Sequence, residues 1–160
     1  MTATRLVLVA LACAVAAPAS AQLLQRKELS YPIALTIAQA ALDDCKARGY
    51  ATSVVVVDRG GNTVVALRAD NASAHTMENA RRKAYTAMTF KMTTAEFLKR
   101  METDPVRRQQ ATLPNVIGID GGVPIKVGND VIGGVGLSGS PGVDEPCVMA
   151  GLDKVKDQLQ

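Results

Sequence analysis

His75 is the single histidine of the chain. Zinc centres and catalytic arrangements that need more than one imidazole are therefore excluded, but one imidazole still serves as an axial ligand of an iron. It closes a run of small polar residues, ADNASAH at 69–75, directly ahead of a helix signal. Such a loop leaves room for a flat ligand, and it is equally the setting of an ordinary surface histidine. Arg81, Arg82 and Lys83 follow within two helical turns. Arginine grips a carboxylate with two parallel hydrogen bonds, although a run of cations is also what a solvated helix face looks like. Tyr85 offers a phenolate as an alternative iron ligand, or a packed ring with its hydroxyl at the surface. Met77 and Met88 are thioether or wall candidates, and otherwise core filler. Asp58 and Asp120 stand at strand ends beside glycines, where they form an acid–base pair or simply make turns. The glycine-rich stretch 133–142 lacks the lysine and spacing of a phosphate loop. No catalytic constellation stands out, and whether the chain is an enzyme stays open.

The N-terminus carries Arg5, an uncharged apolar run from Leu6 to Ala17, and the small-x-small site Ala19-Ser20-Ala21. These are the parts of a cleavable secretory signal over 1–21, with a mature start at Gln22 and a periplasmic or secreted protein. The run is shorter than the about 20 residues a membrane span needs, and no later stretch approaches that length. A net charge of +3, mixed along the chain, excludes a basic nucleic-acid binder. Of the three cysteines, Cys13 falls in the leader, leaving Cys45 and Cys147. An even count in an oxidising compartment permits one disulfide; two buried thiols are the alternative.

Residues 22–29 form a short polar lead, and 30–160 a single domain. Ser30 and Pro32 suit the start of a helix over 33–48, with Ala34, Ala38, Ala41 and Cys45 on one face and Gly49 as its stop. The β-branched run 52–58 and the segment 63–68 flank turn residues and predict a hairpin. Four consecutive valines make the first strand central. Thr76 is placed to cap a helix from Met77 to Phe90, and Thr93 with Glu96 forms a capping box for a short helix to Met101. A long irregular connection over 103–115 is expected to lead to three strands, at 116–119, 124–127 and 131–138. Gly133, Gly134 and Gly136 in the last of these suggest close approach by a helix or a ligand, and Pro124 suggests an edge. Asp144 is placed to cap a final helix to about Leu159. Both faces of the strands Val54–Val57 and Val64–Leu67 are valine-rich, which predicts a homo-oligomer that covers them.

In this order, VVVVDRGGNTVVALR at 54–68, ARRKAYTAMTF at 80–90, GGVPIKVGNDVIGGVGLSG at 121–139 and D-x-x-C-x-x-A-G-L at 144–152 resemble the GlcG/HbpS-type haem-binding family. The resemblance spans about residues 29 to 158. It implies a profilin-like α+β domain with five mainly antiparallel strands and the first and last helices adjacent. It implies self-association and haem (heme) binding, for scavenging or sensing, and in some members haem degradation. Docking on a membrane sensor is a further role it suggests. Under it His75, or alternatively Tyr85, becomes the iron ligand, Arg82 and Lys83 the propionate partners, and Met77 a wall residue. It also makes neighbours of the helices that carry Cys45 and Cys147, and so predicts a bond between them.

Overall fold

The computed structural model describes residues 22–160. The leader expected over 1–21, with Cys13, lies outside the described residues. The elements run α1 (Tyr31–Ala47), β1 (Ser53–Asp58), β2 (Thr63–Arg68), α2 (Thr76–Phe90), α3 (Thr94–Thr103), α4 (Pro105–Gln110), β3 (Gly122–Val127), β4 (Asp130–Ser138) and α5 (Asp144–Asp153), closing in a 3-10 turn over Lys156–Gln158. The strands form one antiparallel sheet in the order β2-β1-β4-β3. The valine run is a central strand, and Pro124 lies on an edge, where its missing N–H costs no ladder bond.

Alternation along β1 divides its valines between two layers. Val54 and Val56 pack with Ile37, Ala41 and Val148 of α1 and α5. Val55 and Val57 meet Ala80 and Ala84 of α2 on the other face. Helices of the same chain thus cover both valine faces, which removes the reason for expecting a second copy on them. The first and last helices are adjacent, as expected: a Cβ on Gly151 of α5 would press on the Ile37 carbonyl and on Ala41 of α1. Glycines of β4 admit a helix, not a ligand. A Cβ on Gly134 or Gly136 would run into the backbone carbonyls of Ala84 or Ala80.

The sheet has four strands where five were expected. Residues 116–119 form no strand because α2 takes up their polar groups. Arg82 Nη2 donates to the Val116 carbonyl at 2.6 Å, and the Ile117 N–H donates to Thr86 Oγ1 at 2.9 Å. The connection over 103–115 is also less irregular than its prolines suggest. Asp104 caps α4 by accepting from Val106 N at 2.9 Å, and Pro105 sits in the first turn. Thr76 is the first residue of α2, not its cap; its hydroxyl donates to the Ser73 carbonyl and accepts from Ser53 Oγ at 2.8 Å. The capping box of Thr93 and Glu96 forms as expected. Asp144 lies inside α5, and that helix stops at Asp153.

Asp58 accepts from the Gly60 N–H at 2.8 Å, the Asn62 N–H at 2.9 Å and the Asn62 side-chain amide at 3.1 Å. Burial opposes its ionisation, but these bonds outweigh it and hold the carboxyl below its usual range. A depressed folded-state pKa contributes stability above the unfolded value of about 4, and that contribution is lost as pH falls through the folded value. Asp58→Asn is therefore expected to be less stable than wild type at neutral pH, with the gap closing below about pH 4. Urea denaturation across pH checks this; a gap that stays constant with pH would mean that charge has no part in it.

Candidate functional site

His75 lies at the rim of a cavity of about 300 Å³ between the N-terminal end of α2 and the loop after β4. The helix start places it there: His75 occupies the N-cap position, makes no side-chain cap bond and is exposed. Asn79, one turn on, Ile119 and Asp120 line the same cavity. Ile119 is 41% exposed and supplies an apolar wall.

The floor is polar. Lys83 is 1% exposed, and its ammonium donates to Asp144 Oδ2 at 2.7 Å and to the Leu137 carbonyl at 2.9 Å. Asp144 also accepts from Ser140 N at 2.8 Å and Ser140 Oγ at 2.7 Å. A buried ion pair persists only when its remaining polar atoms are satisfied, and this one largely is. Lys83 therefore braces α2 against β4 and α5, and its charge is already matched by Asp144.

The other candidates lie elsewhere. Arg81 pairs with Glu78 at 2.8 Å and donates to Asn115 Oδ1 at 2.8 Å. Its hydrogen bond holds the Glu78 carboxyl below the usual range, against a smaller opposing effect of burial. Arg82 is spent on Val116, as above. Tyr85 packs beside Phe97 and Val116, against the β1–β2 turn at Gly61. It stands ten residues along α2 from His75, about 15 Å at the helical rise, so one iron cannot take both. Met77 and Met88 flank the Val55–Ala84 cluster. Asp58 and Asp120 sit at opposite ends of β4, since Asp58 pairs with Gly133 while Leu137 N donates to the Gly121 carbonyl; they form no acid–base pair. Of the sequence candidates, the cavity brings together His75, Lys83 and Asp120. It adds Asn79, Ile119 and Asp144. Among these, Asp144 at the start of the last helix was the one signal in the sequence. Among the described residues no group of three histidines, cysteines or carboxylates could hold a bare metal ion.

Against a haem, the residues fit in part. The exposed imidazole and Ile119 suit a ring lying across the cavity mouth. The internally paired floor does not suit an apolar macrocycle buried within it.

Residues 29–153 match the family model described as haem degrading protein HbpS-like. The chain is 27% identical over 110 residues to protein GlcG of Escherichia coli K12, covering 69% of this chain and 81% of that one. It is similar to the crystal structure of HbpS, at 34% identity and a TM-score of 0.79, over 84% of this chain and 94% of that one. An HbpS double mutant from Streptomyces reticuli superposes with a TM-score of 0.79 at 34% identity, over 88% and 97% of the two chains. A PduOC:haem complex shares the fold, with a TM-score of 0.72 at 24% identity, over 79% and 94%.

Proposed function

Because this chain belongs to the HbpS-like family, we propose that it binds haem, with His75 as the side chain that would hold the iron at the mouth of the α2 cavity. The observation that carries this reading is the position of the single histidine, exposed and aimed from a helix start, beside Ile119. His75 would hold the iron and Ile119 would rest against the ring. Bound haem supplies an iron for electron or oxygen chemistry. Lys83 and Asp144 keep the loop 138–144 in place beneath it. The PduOC complex supports the reading only by sharing the fold.

A periplasmic or secreted location, with haem scavenging or sensing as the role, belongs to the same proposal. The leader-like segment 1–21 and the Cys45–Cys147 bond described below support an oxidising compartment. Self-association and docking on a membrane sensor complete it; among the described residues no helix is long and apolar enough to cross a membrane. The family description favours haem degradation as a second reading. Loss of haem absorbance with reductant and oxygen, together with a released product, would establish it.

Hemin titration of wild type and His75→Ala tests the ligand. Wild type is expected to give a Soret band. The variant is expected to lose or shift it, with affinity at least about tenfold weaker and an unchanged circular dichroism spectrum. An identical spectrum and affinity would move attention to Tyr85, which packs beside Phe97 and the turn at Gly61.

A further inference from the structure

We propose that the groove outside β3, between α3 and α5, receives the N-terminal segment 22–26 of a second copy of this chain. The groove encloses about 410 Å³, with Met92, Pro124, Met149 and Leu152 as apolar walls and two carboxylates, Glu96 and Glu145, beside them against one cation, Lys126, which makes no ion pair among the described residues. Met149 is 45% exposed there. Glu145 Oε2 is buried and accepts no hydrogen bond among the described residues. An unsatisfied carboxylate oxygen is costly, and an incoming cation would relieve it. Burial first, then the neighbouring charges of Asp120 and Glu96, push the Glu145 carboxyl above its usual range, as expected of an acid that lacks its counter-ion.

The complementary surface is on the same molecule. Leu23 is 86% exposed and Leu24 74% exposed. Arg26 follows them and makes no ion pair among the described residues. The base of the segment is tied down: Arg59 Nη2 donates to the Lys27 carbonyl at 2.9 Å, and Leu29 is buried in the core. Anchoring at 27–29 presents two leucines and a cation outward and limits the stretch that must be ordered on docking to five residues, 22–26. No residue of 22–28 lines the groove of its own chain. Strand addition to β3 is not the mode, because Pro124 lacks an N–H and Lys126 is exposed on the same edge, both devices that blunt a sheet edge. Docking therefore rests on side chains: leucines against methionines, and Arg26 toward Glu145 and Glu96. Two copies that each donate a segment and accept one form a closed, self-complementary pair.

Sedimentation of the haem-free protein over a concentration series tests this independently of haem binding. Wild type is expected to associate reversibly. Leu24→Glu and Glu145→Arg, each checked as folded by circular dichroism, are expected to weaken association by about tenfold or more, since each removes an apolar contact or reverses a charge. Combining Arg26→Glu with Glu145→Arg restores the opposite charges and is expected to recover association. A wild type that stays monomeric overturns the proposal. So does association that Leu24→Glu and Glu145→Arg leave unchanged, or a double variant as weak as Glu145→Arg alone.

Discussion

Replacing both Cys45 and Cys147 with alanine is expected to cost several kcal/mol of stability, the largest effect of any change outside the cavity. The two residues form a disulfide with Cα atoms 5.5 Å apart and a sequence separation of 102. For a loop near that length the chain-entropy model gives about 4.7 kcal/mol as a ceiling, lowered by strain or residual structure. The bond joins the end of α1 to the first turn of α5, across the packed pair that covers one face of the sheet. Both cysteines are fully buried, so native protein is expected to resist mild reductant and to be reduced as it unfolds. Ser140 Oγ lies 3.1 Å from Cys45 Sγ, but a bonded sulfur has no proton to give, and the serine proton goes to the stronger acceptor, Asp144. Urea midpoints of oxidised, reduced and Cys45→Ala/Cys147→Ala protein measure the effect. Two alkylatable thiols in denatured, unreduced protein would show that the bond is not formed.

Lys83→Met is expected to destabilise by about 3–5 kcal/mol, because it strands the Asp144 carboxylate in the interior with only Ser140 to satisfy it. Asp144→Leu alone leaves the opposite charge stranded, with a similar loss. The double variant Lys83→Met/Asp144→Leu is expected to recover much of it, since an apolar pair of similar bulk pays no desolvation of ions. Chemical denaturation of the four proteins gives the coupling directly. Additive single losses would mean that the two groups do not act as a pair. If Lys83 instead served a haem propionate, its loss would weaken hemin binding with little change in stability, the reverse of what burial and pairing predict.

The elements were legible wherever a local rule determines them. The valine run, the Asp58–Asn62 turn and the Thr93–Glu96 box each carry their own signal, and each forms. The missing fifth strand was not legible, because Val116 and Ile117 look like strand residues, and only the approach of Arg82 and Thr86 gives their backbone groups other partners. The site was legible to the extent of its single histidine. The run 81–83 reads as three equivalent cations, yet Arg81 finds Glu78, Arg82 finds Val116 and Lys83 finds Asp144, which lies 61 positions away. Helical periodicity separates their directions but cannot say what waits at the end of each.

By itself, then, the amino-acid order determined four of the five helices, the hairpin, the central strand, the family and the one imidazole available to an iron, all properties carried by neighbours in the chain. Only the tertiary structure decided that the glycines of β4 make room for α2 and that Lys83 is spent inside the protein, and it brought Cys45 and Cys147, which the resemblance expected as partners, to 5.5 Å between their Cα atoms. It also decided which residues share the His75 cavity. The physical reason is common to all four. The free energy of a close approach, a bond or a buried charge depends on the partner that arrives, and those partners come from distant parts of the chain that meet only when the sheet and its two helical layers have closed.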